Sequence, residues 1–104
     1  MIPFLKKIFG FRPSINYSEL VQQGAIILDV RSKAEFSGGH IKGAINIPVN
    51  VLNQHLGQLE DKNKTIITCC ASGMRSASAK NILKSNGYTS LHNGGGWSSL
   101  QSKL

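Results

Sequence analysis

The residues predict an α/β protein, three layers deep, with a mostly parallel sheet of about five strands and helices on both faces. Three observations carry that expectation. Short apolar runs alternate with helical signals from Pro13 to the end of the chain, the pattern of strands joined by crossover helices. Two of the runs, Ala25-Ile26-Ile27-Leu28 and Thr65-Ile66-Ile67-Thr68, have no polar alternation, as strands buried on both faces require. The chain has 104 residues, 40% of them hydrophobic and 16% charged, which suits one domain and leaves no room for a second core. A domain of that size buries roughly 65% of its unfolded surface.

Each element has its own signal. Ile15-Asn16-Tyr17 reads as an edge strand, after which Ser18 caps a brief helix through Gln23 that Gly24 closes. Ala25-Ile26-Ile27-Leu28-Asp29 is the next strand. Ser32 with Glu35 three residues on forms a capping box, opening a helical turn that Gly38-Gly39 ends. Ala44-Ile45-Asn46-Ile47 is a strand stopped by Pro48. Residues 51–59 read as a helix with Val51, Leu52, Leu56 and Leu59 on one side. The strand at residues 65–68 leads to Cys70, and residues 76–86 form a helix with Ala77, Ala79, Ile82 and Leu83 inward. Asn86-Gly87 ends it. Thr89-Ser90-Leu91 is a last short strand, Asn93-Gly94-Gly95-Gly96 a turn, and Trp97 opens a terminal helix.

Residues 1–13 stand apart as an amino-terminal arm, with the domain proper at residues 14–104. In the arm Phe4, Leu5, Ile8 and Phe9 would share one helical face beside Lys6 and Lys7. The lysines interrupt the apolar stretch and no small-residue cleavage site follows, which argues against a signal peptide. The stretch is also well short of the ~20 apolar residues of a spanning helix. Two readings are open: an arm folded onto the domain, and a weak membrane-surface or partner contact through residues 1–12.

Twelve Lys and Arg against five Asp and Glu give a net charge of +7. Lys33, Lys42, Lys62, Lys64, Lys80 and Lys84 are scattered and are not interleaved with aromatics, so we read a solvated basic surface that draws small anions, not a nucleic-acid interface. His40, His55 and His92 lack metal-ligand spacing, and neither a metal nor a cofactor is expected. Two adjacent cysteines cannot staple a secreted fold. With Cα atoms about 3.8 Å apart, a Cys69–Cys70 disulfide would be strained. The cysteine usage points to a reducing, cytoplasmic setting and a reactive thiol.

That thiol is Cys70. In Cys70-Ala71-Ser72-Gly73-Met74-Arg75-Ser76 it sits between a buried strand and a helix, over the helix's unpaired N–H groups and positive dipole end. This setting favours the thiolate, the reactive form. Gly73 permits the turn, Ser72 is read as bracing the loop with its hydroxyl, and Arg75 offers a fork of donors suited to an oxyanion. Met74 lines the mouth of the site or covers it. Asp29 and Arg31 are read as loop supports, Asp29 bonding backbone near the loop and Arg31 pairing with a carboxylate such as Glu35. Cys69 is either a small buried hydrophobe or a resolving thiol. We read His40 as a packed loop residue and Trp97 as core.

With these residues in place the chain resembles a single-domain rhodanese, of the sulfurtransferase family, over residues 15–100. Three blocks carry the resemblance, in order and at suitable spacing: Leu28-Asp29-Val30-Arg31 with Glu35-Phe36; Gly39-His40-Ile41-Lys42-Gly43-Ala44-Ile45-Asn46-Ile47-Pro48; and Cys70-Ala71-Ser72-Gly73-Met74-Arg75-Ser76. It implies a rhodanese-like fold and a thiosulfate sulfurtransferase activity. Cys70 would accept a sulfane sulfur from thiosulfate or another persulfide donor and pass it to cyanide or a thiol. Ala71, Ser72, Gly73, Met74 and Arg75 would ring the donor, with Asp29, Arg31 and Ser76 in support. The partners implied are a small-molecule sulfur donor and a thiol or cyanide acceptor, with a protein acceptor as a further possibility and a monomer as the working form. The six-residue loop, residues 70–75, looks like the sulfur-handling form; related phosphatases and arsenate reductases use a loop one residue longer. The alternatives are a sulfur-relay or binding module serving one partner, and a small phosphatase or arsenate reductase. One departure stands out: many rhodaneses carry a basic residue after the cysteine, where this chain has Ala71.

Overall fold

The structure, a computed structural model, describes residues 15–104; the arm proposed at residues 1–13 lies outside the described residues. In chain order the elements are α1 (Tyr17–Gln22), β1 (Ile26–Asp29), α2 (Lys33–Ser37), β2 (Ile45–Asn46), two 3-10 segments (Val49–Gln54 and Leu56–Gln58), β3 (Ile66–Cys70), α3 (Met74–Ser85), β4 (Leu91–Gly96) and α4 (Trp97–Gln101). The strands form one sheet in the order β2-β1-β3-β4, and every pairing is parallel. The α/β class and parallel sheet agree with the sequence reading; among the described residues the sheet has four strands, where about five were expected.

The missing strand is residues 15–17. Asn16 turns out to be a helix cap, its Oδ1 accepting from the Glu19 amide at 2.9 Å, so Tyr17 already belongs to α1 and Ser18 is not the cap. An Asn side chain that bonds the backbone three residues on competes with any ladder for that segment. The capping box at Ser32 and Glu35 forms as read. Residues 51–59 do not make an α-helix. Asn, His and Gly punctuate the run, and it settles into two short 3-10 segments with Leu52 and Leu59 as the buried anchors.

Strand alternation sorts the core into two layers. Leu28, Val30, Ile66 and Cys70 face the side covered by α3 and the 3-10 segments, with Ile47, Leu52, Leu59, Ala79, Leu83 and Tyr88. Ile27, Ile67 and Cys69 face the other, with Ile41 and Leu100, against Tyr17, Leu20 and Val21 of α1 and Trp97 of α4. The inward stripe of α3 is Ser76, Ala79 and Leu83, with Ile82 half-buried; Ala77, expected inward, is exposed. Because helix α3 begins at Met74, two residues earlier than its apolar pattern indicates, its first turn lies directly beyond Cys70, the last residue of β3.

β4 differs most from expectation. Asn93-Gly94-Gly95-Gly96 is not a turn but the carboxyl half of a strand running Leu91–Gly96. The glycines are required by space. A Cβ at Gly94 would come within 2.9 Å of Ile67, Leu100 and the Thr68 carbonyl, and one at Gly96 within 2.9 Å of the Ala71 carbonyl. Gly95 needs its positive φ of 79°. The strand therefore passes against the back of the Cys70 loop with only backbone between them.

Candidate active site

The site is built at the carboxyl end of β3, where ligands bind in open parallel sheets. Gly73, at φ +110°, turns the chain from Cys70 into α3, a conformation that L side chains rarely adopt. No side chain among the described residues caps α3. Its first-turn amides bond the cysteine sulfur instead: Gly73 N–H donates to Cys70 Sγ at 2.9 Å and Ser76 N–H at 3.3 Å. The sulfur thus occupies the place of a capping oxygen, at the positive end of the helix.

Opposing influences act on the Cys70 thiol. Burial, the largest, pushes its pKa up; hydrogen bonds from the Ser76, Gly73 and Ser72 amides and the Ser76 hydroxyl together outweigh it, and the net shift is downward. The Ser76 hydroxyl has one proton and also bonds Asn93 Oδ1 and, at 3.1 Å, the Gly73 carbonyl, so the backbone amides carry most of the lowering. Met74 and Arg75, in the same turn, have amides with no acceptor among the described residues. They are open to a negatively charged atom attached to Cys70 Sγ.

Ser76 and Asn93 hold this turn from behind. Asn93 Oδ1 also accepts from the Gly95 amide at 2.9 Å, and Asn93 Nδ2 reaches the Gly73 carbonyl at 3.5 Å. Bracing by side-chain hydroxyl is therefore the work of Ser76, while Ser72, read for that part, is exposed and contributes its amide. Asn93 was missed as a site residue. Its signal was the three glycines after it, which mark close approach of two backbones. Met74 stands at the rim with 79% of its surface exposed.

Asp29 and Arg31 form a buried pair whose atoms differ from the expected ones. Arg31 Nη2 meets Asp29 Oδ2 at 2.7 Å, and Asp29 Oδ1 accepts from the Arg31 amide at 3.0 Å. Arg31 therefore does not pair with the Glu35 carboxylate; it donates to the Glu35 carbonyl at 3.3 Å and the Gly39 carbonyl at 2.7 Å, and its guanidinium lies 4.7 Å over the Trp97 ring. Asp29 does bond backbone, but the amide it holds is that of Arg31 and not one of the Cys70 loop. Asn46 ties in by donating to the Asp29 and Arg31 carbonyls, both at 3.0 Å. The pair reaches the loop indirectly, by fixing α2 and so Glu35.

Glu35 then clamps the end of the loop. Its oxygens receive Arg75 Nη1 at 2.7 Å and Nη2 at 3.0 Å, a fork-to-fork geometry, while Oε1 also accepts from the Ser32 amide and hydroxyl at 3.0 Å each. The Arg75 guanidinium, helped by the Ser32 donors, holds the Glu35 carboxyl down at about 2. Cys69, next to the reactive residue, points to the opposite sheet face and is buried with Ile67 and Leu100. Burial pushes its thiol up to about 12. His40 is exposed, stacked 3.7 Å on Phe36 with Nδ1 against the Phe36 carbonyl.

The arrangement can hold a thiolate and receive a second negative atom beside it. The chain is 39% identical over 70 residues to thiosulfate sulfurtransferase PspE of Escherichia coli, spanning 66% of this chain and 67% of that one. It superposes on the human single domain sulfurtransferase TSTD1 with a TM-score of 0.75 and 28% identity, covering 90% of this chain and 99% of the other. It is also 32% identical over 78 residues to a tRNA uridine(34) hydroxylase of Buchnera aphidicola, of which it spans a quarter (25%), so relatives of the domain carry other activities. The Rhodanese-like domain model matches residues 16–103, and the chain belongs to that family.

Proposed function

We propose that the protein is a sulfurtransferase of the thiosulfate sulfurtransferase type, with Cys70 as the carrier of a persulfide. One observation supports this above the rest: the Gly73 and Ser76 amides donate to Cys70 Sγ at the start of α3, where a thiolate is stabilised without a general base. The likeness to PspE points the same way.

The thiolate attacks the outer sulfur of thiosulfate; the new S–S bond forms as the old one breaks, and sulfite leaves with the electron pair. The terminal sulfur of Cys70–S–S⁻ then lies in the ring formed by the backbone of Ala71, Ser72, Gly73, Met74 and Arg75, whose amides offset its charge. Cyanide or a thiol attacks that sulfur in turn, leaves as thiocyanate or a new persulfide, and returns Cys70 as the thiolate. Asp29, Arg31 and Ser76 keep the loop in this shape. Two free thiols suit a cytoplasmic site of action, and no described helix is long and apolar enough to cross a membrane. Intact mass spectrometry tests the reading. Treatment with thiosulfate should add the mass of one sulfur to Cys70, and cyanide should remove it as thiocyanate. A protein that stays unmodified under both thiosulfate and a low-molecular-weight persulfide defeats it.

A further inference from the structure

Among the described residues, the loop around Cys70 lacks a free cation. Ala71, Ser72, Gly73, Met74 and Ser76 are uncharged. Its one charged residue, Arg75, is held by both oxygens of Glu35 at 2.7 and 3.0 Å. Glu35 in turn cannot swing away without breaking the Ser32 capping box, and α2 is pinned by Arg31 through the Glu35 and Gly39 carbonyls. The pair therefore presents no net charge at the rim, and stabilisation of an incoming anion falls to neutral amides. A dianion such as thiosulfate gains least from that arrangement, because half or more of its charge rests on the departing sulfite, away from the amide ring. A thiol persulfide concentrates at most one charge on sulfur, which the ring can meet.

Resting on the sulfurtransferase reading above, we propose that Glu35 is a specificity-determining residue: by neutralising Arg75 it tunes the site toward thiol persulfide donors, R–S–SH, over thiosulfate. In the transfer, the Cys70 thiolate attacks the outer sulfur of R–S–SH. A bond forms between Cys70 Sγ and the outer sulfur, the S–S bond of the donor breaks, R–S⁻ leaves with the electron pair, and the proton of the new Cys70 persulfide passes to it. The exchange needs no outside oxidant.

The test compares single-turnover loading of Cys70, read by quenched mass spectrometry, from thiosulfate and from 2-hydroxyethyl persulfide, whose charge lies only on sulfur. Wild type should load faster from the persulfide. Glu35→Gln keeps a capping-box acceptor while freeing the Arg75 charge. It should raise thiosulfate loading relative to persulfide about fivefold, through tighter thiosulfate binding, as one surface charge contact in water allows. Raised ionic strength should shrink that gain, which a merely structural role of Glu35 would not explain. Adding Arg75→Met should abolish it. Arg75→Met alone bares Glu35 and should depress thiosulfate loading more than persulfide loading. Equal changes with both donors in Glu35→Gln and in Arg75→Met overturn the assignment of Glu35 while leaving sulfur transfer intact. Failure of wild type to load from either donor overturns sulfur transfer itself, and the donor preference with it.

Discussion

Cys69 and Cys70 share a strand, a residue type and a depth, at 0% and 1% exposure, yet their thiols are pushed in opposite directions. Burial acts on both and raises both. At Cys69 burial among apolar neighbours and then the Asp29 charge outweigh the opposing pull of the Arg31 guanidinium, so it ends at about 12. Cys70 points across the sheet to the start of α3, where two amides donate to its sulfur. Depth therefore does not set the chemistry of a cysteine; the donors that share its burial do. The pleat makes this separation unavoidable, because consecutive strand residues face opposite ways. It also argues against a resolving thiol, because the two side chains lie in different core layers.

The largest test of this contrast is a pair of substitutions. Cys70→Ser should abolish sulfur loading and thiocyanate production, by roughly a thousandfold or more, as losing a covalent nucleophile does. Cys69→Ser should leave turnover within about threefold and show its effect in stability, by about 1–3 kcal/mol for a hydroxyl placed in an apolar layer. Equal loss of activity in both variants, with both folded by circular dichroism, would mean that the strand places them in one reaction after all.

Much of this site could be read from the chain, and the parts that could not share a cause. Ala25-Ile26-Ile27-Leu28-Asp29, the Ser32–Glu35 box and the strand–loop–helix around Cys70 announce themselves because their signals are local: apolar runs, caps spaced by three, a glycine at the turn. β4 did not, since Gly94, Gly95 and Gly96 have no side chains to carry a period of two. The part played by Asn93 depends on residues 17 and 20 positions away, Ser76 and Gly73, a proximity set by strand order alone. Arg31 had carboxylates at Asp29 and Glu35 within reach. The tight end of β1, where Asp29 Oδ1 receives the Arg31 amide, decides for Asp29, and Glu35 is left to Arg75.

A titration sharpens the comparison further. Since the Cys70 pKa lies below that of an ordinary thiol, its thiolate persists to lower pH, and the midpoint of its alkylation by a small reagent should lie below that of free cysteine, at about 8.5. Cys69 should stay unmodified in the folded protein throughout. Asn93→Ala removes the acceptor that orients Ser76, so the Ser76 amide aligns less well with Cys70 Sγ. The alkylation midpoint should move up, and sulfur loading at neutral pH should drop about tenfold, the scale of one misplaced supporting bond. An unmoved midpoint in Asn93→Ala would show that the Gly73 and Ser72 amides suffice.

The smallest effects divide the two faces of the sheet by a single methyl group. At Gly94 a Cβ would meet Ile67 and Leu100, the layer of Cys69; at Gly96 it would meet the Ala71 carbonyl, the loop of Cys70, and in each case at 2.9 Å. Gly96 has φ −68°, open to alanine, so strain there comes from space and not from backbone. Both alanine variants should lose about 1–3 kcal/mol in chemical denaturation, the usual cost of overpacking. They should part in activity. Gly96→Ala pushes the loop and should slow loading several-fold, whereas Gly94→Ala, spending its clash on the far layer, should slow it less. If the two variants slow loading equally at matched stability, the loop is not supported from β4 separately from the core, and the contrast between the two cysteines reduces to the amides of α3 alone.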